Sequence, residues 1–518
     1  MMIAVPALLA LLAVVALNYL WRRHADDGVL PPSPASLPVI GHLHLLRRPV
    51  HRTFHELAGK LGPLMHIRLG STHCVVASTA AVASELIRSH EAAISERPQT
   101  AVARQFAYGS AGFAFAPYNA HWRFMKRLCV SELLGPRTVE QLRPVRRAGT
   151  VSLLRELLVF LANSNKQQQP VDLTRELIRL SNTSIIRMVA STVPGSVTDE
   201  AQELVKEVAE LVGAFNVAEY IPVCRDWDMQ GLGKRAADVH RRFDVLLEDL
   251  IRHKEEAAAA AILDDDVCNK KKDARQDLLD ILLEKAQDET AEVKLTRDNI
   301  KAFVIDVVTA GSDTSAAMVE WMLAELLNHP ESMRKVQEEI DAVVGHERIV
   351  SEADLPRLPY LQAVYKETLR LHPAAPIAHR QSTEEIRTVH GGGYTVPPQT
   401  AVFINVWAIG RDPAFWEDPE AFRPERFMPG GAAEGLEPRG QHFQFMPFGS
   451  GRRGCPGMGL ALQSVPATLA ALVQCFRWEK PADKMMIDME ESDGLVCMRK
   501  NPLLLRPITR LDPFPPVI

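Results

Sequence analysis

Cysteine is scarce in this sequence: seven residues in 518, at positions 74, 129, 224, 268, 455, 475 and 497, with no C-x-x-C pair among them. An odd, scattered set excludes a disulfide framework or a clustered zinc site as the basis of the fold. An excess of charge of one sign is missing too. The 59 Lys and Arg against 64 Asp and Glu leave a formal net charge of −5, so nothing points to nucleic acid as a partner. There are no internal repeats, and low complexity is confined to Lys254–Gln276, read as an exposed or disordered connector. No dinucleotide-binding unit of the strand, glycine turn and helix kind is present, so any electrons the chain uses come from outside it.

Long charge-free apolar runs are absent with one exception. Residues 3–20, IAVPALLALLAVVALNYL, carry no charge and are followed by Trp21, Arg22 and Arg23. At about 1.5 Å per residue they span a thin bilayer. A cleaved signal peptide is the competing reading, but there is neither a basic leader nor a convincing small-residue cleavage site. The segment is therefore expected to stay as a single-pass anchor, with the arginines and the remaining chain in the cytosol. Unpaired cysteines agree with that compartment, and the sequon Asn182-Thr183-Ser184 would then never meet the glycosylation machinery.

After the anchor, Pro31 to Gly41 reads PPSPASLPVIG, in which prolines forbid helix and suggest a stiff hinge. LMHIRLG and HCVVAS around Gly70-Ser71-Thr72 predict a β-hairpin, and helical periodicity dominates from Ala80 onward. The clearest element is a helix from Arg297 to Asn328, with Pro330 beyond its end. Its middle, Ala310 to Ser315, is AGSDTS. Glycine there costs about 1 kcal/mol relative to alanine, and the hydroxyls compete for backbone bonds. The expectation is a local opening that exposes backbone to a buried ligand; a packing glycine with solvent-facing serines is the alternative.

FGSGRRGCPG, Phe448 to Gly457, places Cys455 among glycines, arginines and a proline just before another helical run. Glycines expose N–H groups to a sulfur and admit a flat cofactor, Arg453 offers fixed charge to a carboxylate, and a helix N-terminus favours the thiolate. A structural cysteine in a glycine-rich loop fits the same string.

This segment matches every fixed position of F-x-x-G-x-R-x-C-x-G, and the chain thereby resembles the cytochrome P-450 superfamily. AGSDTS resembles the oxygen-activating segment of that family's long helix, KETLRLHP supplies E-x-x-R as Glu367 and Arg370, and FRPERF supplies Arg426. Glu367 and Arg370 are three apart on one helix face and able to pair. The resemblance implies a mainly α fold with a small β region, a long central helix over haem and a single N-terminal transmembrane anchor. The expected organisation is an anchor over residues 1–24, a proline-rich hinge over 25–45 and one catalytic body over 46–518, although length alone suggests several domains.

The resemblance also implies haem b with Cys455 as the axial iron ligand. Phe448, Gly449, Gly457, Ala310 and Gly311 would line the cofactor, and Trp122, Lys126, Arg380 and Arg453 would hold its propionates. Lys126 stands where the family's W-x-x-x-R pattern has arginine, which puts a bidentate contact in doubt. Asp313 and Thr314 are expected to order proton delivery during dioxygen cleavage. NADPH electrons would arrive through NADPH-cytochrome P-450 reductase, docking near Arg123, Lys126, Arg127 and Arg452, unless those are a solvated charge run. A monomer on the endoplasmic reticulum membrane is implied.

Finer likenesses, in FAYGSAGFAFAPYNAHWRFMKRLCVSELLG, DWDMQGLGKR and TEEIRTVHGGGYTVPPQTAVFINVWAIGRDP, resemble plant enzymes that oxidise flavonoids, closest to flavone synthase II and flavanone 2-hydroxylase. A flavanone-type substrate is expected, above Ala310 and against Ala101 to Tyr118 and Ala374 to Ile377. Isoflavone synthases and aromatic-ring hydroxylases are near relatives. A haem-thiolate isomerase and a non-catalytic haem-binding membrane protein are the rival classes.

Overall fold

A computed structural model of the chain describes residues 30–163, 169–191, 195–221, 224, 227–262, 276–290, 293–481 and 485–516. The expected anchor at 1–24 lies outside the described residues. The central helix runs from Arg297 to Asn328, as its periodicity predicts. Thr296 caps it in a reciprocal box with Asn299, and Pro330 starts the next helix, Pro330–Val344. It is buried along most of its length. Its C-terminal half packs on the helices Pro330–Val344, Pro359–Leu371 and Met458–Cys475. Its N-terminal half packs on Ala120–Leu128, Leu173–Val189, Gly195–Gly213 and Leu232–Ile262. Both the central helix and Met458–Cys475 are long and apolar enough to cross a membrane, but both are mostly enclosed by protein, as core helices are.

The β region is small. Strands β1 (Leu64–Leu69) and β2 (Thr72–Ala77) form the expected hairpin. Beside β2 lies the parallel Ala401–Asn405, and antiparallel to that strand is Ile377–Gln381. The sheet thus brings residues 64–77 against residues 377–405 and positions Arg380 on the edge strand Ile377–Gln381.

Two expectations change. The described part of the proline-rich stretch, expected as a stiff hinge, is docked on the hairpin: Pro32 accepts from the His66 amide at 2.9 Å and the His42 amide donates to Arg68 at 2.6 Å. The connector expected at Lys254–Gln276 begins as helix, since Leu232–Ile262 runs into it; residues 263–275 lie outside the described residues. Lys254 reaches Asp277 and Asp280, an ion-paired tether that polar composition alone does not reveal.

Candidate functional site

The Cys455 loop is shaped by glycine where the backbone demands it. Gly449 and Gly451 take φ of 70° and 66°, the left-handed region that L side chains avoid. The Cys455 amide donates to Phe448 O at 2.9 Å, closing the loop immediately before the helix Met458–Cys475. The sulfur is accessible, yet surrounding protein raises the thiol pKa. The Gly457 amide, Lys126, the Met458 amide and Arg97 pull it the other way. A thiol that is both accessible and desolvated lies in a recess of the protein, here called the hollow. Gly449 to Gly454 also spell G-x-G-x-x-G, but no strand leads into them, so they form no dinucleotide-binding turn.

Basic side chains converge on this hollow. Arg380 is buried at 5% exposure, and among the described residues its side chain bonds only His379 O, at 2.9 Å. Arg97 gives one nitrogen to Ala114 O at 2.7 Å, and its Nε has no partner among the described residues. Lys126 donates to Gly454 O at 2.6 Å. Arg453 donates to Ser95 O, Phe113 O and Ala116 O at 2.8, 3.2 and 2.6 Å and stacks over Trp122 at 4.4 Å. Trp122 Nε1 donates to Phe113 O at 2.9 Å. Burial and mutual repulsion lower the pKa of Arg380 and bring that of Arg453 down to about 10. Among the described residues, none of the four cations has a carboxylate ion-pair partner.

Sequence reasoning expected Trp122 and Arg453 to face propionates directly; here their donors are taken by carbonyls of the 113–116 loop. It missed Arg97 and His379. His379 is stacked on Phe403 at 4.5 Å, and its buried Nε2 has no partner among the described residues. Burial, with Arg97 and Arg380 nearby, depresses its pKa to about 3. Neither residue has a local signature, because each is brought in by folding from a different part of the chain. Buried cations without anions are costly. A dianionic planar group with a metal for the thiol would relieve both deficits, so the residues present fit haem.

On the central helix, Ala310 is exposed although most of the helix is buried in the core. The expected opening at AGSDTS is not seen: the helix is continuous, and Ser312 and Thr314 turn their hydroxyls back to Val308 O and Ala310 O, each at 2.7 Å. Gly311 is a packing glycine, since a β-carbon there would lie 3.0 Å from Ile185. Ser312, however, is buried rather than solvent-facing. Burial raises the Asp313 pKa, opposed by Lys206. Ala374 and Ala375 are at least partly accessible, and Phe113 packs on Phe303 at 5.3 Å.

Away from the hollow, the Glu367 and Arg370 side chains are fully buried and paired at 2.7 Å, with Arg426 at 3.2 Å. Arg123 and Arg452 are exposed and stack on Tyr118 at 5.7 and 4.9 Å. Two other features carry none of this chemistry. His51, Glu491 and Cys497 cluster closely enough to hold a metal, but Glu491 is already bound by His51, Arg52 and Trp407. A cavity of about 230 Å³ among the helices is lined by Gly311 and Ser315 rather than by Ala310 and Thr314.

A family model described as "Cytochrome P450" matches residues 31–506. "Cytochrome P450 93G1" of Oryza sativa subsp. japonica is 75% identical over 97% of this chain and 94% of its own length. "3,9-Dihydroxypterocarpan 6A-monooxygenase" of Glycine max is 43% identical over 98% and 99%. Among solved structures, a zebrafish cytochrome P450 with progesterone superposes with a TM-score of 0.74 at 25% identity, over 90% of this chain and 100% of that one.

Proposed function

The chain belongs to the cytochrome P450 family of haem-thiolate monooxygenases, and from that premise we propose that it oxidises a flavanone at C2, giving a flavone or a 2-hydroxyflavanone. Haem, when bound, supplies the oxygen activation. Cys455 would hold its iron, with the Gly457 and Met458 amides donating to the sulfur. Arg97, Lys126, His379, Arg380 and Arg453 would hold the propionates, and Trp122 holds the loop that keeps Arg453 in place. Asp313 and Thr314 hold and pass protons. The proposed organisation is that of a membrane enzyme: residues 1–24 would anchor it to the endoplasmic reticulum, and NADPH-cytochrome P-450 reductase would dock on the exposed face carrying Arg123, Arg127 and Arg452.

The observation that carries the substrate reading is the apolar slot itself. Ala310 and Ala375 are exposed and Ala374 is partly so, and such small apolar side chains would leave room for a flat fused-ring molecule. The relative named for a pterocarpan, itself a fused aromatic heterocycle, supports the same class. C2 of a flavanone is benzylic and bonded to the ring oxygen, which makes its C–H the weakest that such a slot presents.

The test is turnover of naringenin by membranes holding this protein and a reductase, with NADPH. Direct flavone supports the synthase outcome, and an acid-labile product that dehydrates to flavone supports the 2-hydroxylase. An acid-stable hydroxylated flavanone assigns an aromatic-ring hydroxylase instead, and an isoflavone-type skeleton assigns aryl migration. No turnover of any flavanone rejects the substrate and leaves the haem-thiolate assignment standing.

A further inference from the structure

The segment 111–116 has no regular structure, yet most of its backbone polar groups are claimed by side chains from elsewhere. The amides of Phe113 and Ala114 both donate to one oxygen of Asp306, at 2.8 and 3.0 Å, across 193 and 192 positions of sequence. The carbonyls go to cations and other donors. Ala111 O accepts from Asn299 and His121, each at 3.0 Å. Phe113 O accepts from Trp122 and Arg453, Ala114 O from Arg97, Phe115 O from Gln99 and Ala116 O from Arg453. The peptide dipoles therefore point from a buried carboxylate on the central helix toward the basic residues around Cys455.

Asp306 itself is 8% exposed. Burial raises its carboxyl pKa to about 6, against the Ala114 and Phe113 amides and the Arg97 charge, so at neutral pH it is ionised and accepts both bonds. Gly112 is the one residue of the segment whose identity the contact requires, because a β-carbon there would collide with the Asp306 carboxylate.

We infer that Asp306 is a positioning residue: by holding the Phe113 and Ala114 amides it fixes segment 111–116, and through that segment's carbonyls it orients Arg97, Trp122 and Arg453 at the haem site while setting Phe113 as a wall of the substrate slot. The proposal rests on the haem-thiolate reading only for what those cations face. The clamp is a property of the protein alone.

The test uses the full chain with haem bound and the variants Asp306→Ala and Asp306→Asn. Three quantities are read: hydrogen exchange of peptides covering 111–118, exchange of a distant reporter at 359–371, and the rate of haem transfer to apomyoglobin. A hydrogen bond to a charged group contributes about 1.5–3 kcal/mol, so its loss is worth roughly tenfold or more. Asp306→Ala is expected to raise exchange in 111–118 about tenfold and to speed haem transfer by a similar factor, with 359–371 unchanged. Asp306→Asn, which keeps one acceptor oxygen, is expected to fall between Ala and the parent chain. Unchanged exchange in 111–118 overturns the clamp. A rise spread equally over 359–371 overturns it in favour of general destabilisation. Local loosening with unchanged haem transfer overturns the orienting role. If Asp306→Ala does not fold, Asp306→Asn decides by the same three readings. None of them uses a flavanone, so failure of the substrate reading is distinguishable from failure of this one.

Discussion

The buried triad of Glu367, Arg370 and Arg426 offers the most quantitative test of how the haem-binding core is held. Glu367 accepts four hydrogen bonds: two from Arg370 at 2.7 Å, one from the Arg423 amide at 2.9 Å and one from Arg426 at 3.2 Å. The Glu367 and Arg370 side chains have no accessible surface, and Arg426 has 5%. Arg370 further donates to the carbonyls of Gly410, Pro419 and Ala421, so it pins the 410–421 segment to its own helix. Glu367→Gln keeps the shape, removes the charge and turns an NH₂ group toward a guanidinium. Removing one partner of a buried pair costs about 3–5 kcal/mol, more than a hundredfold in the folded-to-unfolded ratio. Urea unfolding followed by both the haem absorbance and tryptophan fluorescence should show that loss. Glu367→Gln combined with Arg370→Met should recover part of it, because no uncompensated guanidinium then remains at position 370. A Glu367→Gln chain within about 1 kcal/mol of the parent would refute the reasoning, since it would mean the carbonyls alone satisfy Arg370.

Three further outcomes are expected. Cys455→Ser should bind haem but lose the thiolate-type Soret band of the reduced carbon-monoxide adduct; its persistence would remove Cys455 as the ligand. Thr314→Ala should retain haem while product formed per NADPH falls about tenfold or more, and unchanged coupling would leave the Thr314 hydroxyl as a helix back-bond to Ala310 only. Glu320 is buried with Oε2 unpartnered among the described residues. Burial raises its pKa to about 7, against Thr174 and Arg499. A folded-state pKa above the unfolded one gives stability that is full below about pH 4.5 and is lost as pH rises through 7. Glu320→Gln should match the parent near pH 4.5 and exceed it by an amount on the order of 3 kcal/mol above pH 7.5; parallel pH profiles for the two proteins would contradict the assignment.

What the sequence made legible follows from range. The central helix, its capped start at Thr296 and its stop before Pro330 are written in neighbouring residues, as are the hairpin at Gly70 and the Glu367–Arg370 pair on one helix face. The spacing around Cys455 is equally local. The helix stays whole at AGSDTS because propensity is a weak prior: Gly311 packs against Ile185 and the hydroxyls satisfy themselves at i−4. The cations at the hollow were half found. Arg380 and Arg453 sit in recognisable strings, but Arg97 and His379 acquire a role only when the sheet and the 113–116 loop bring them together. The loop exposes the deeper reason. Asp306, Arg97, Trp122 and Arg453 all recognise its peptide groups rather than its side chains. A contact made to backbone imposes almost no residue preference on the segment contacted, so it leaves no motif there beyond the glycine that close approach requires at position 112. Segments of this kind should tolerate side-chain change while remaining intolerant of a shift in register, which makes an insertion or deletion within 111–116 more damaging than substitution of Ala114 or Phe115 by another small or aromatic residue.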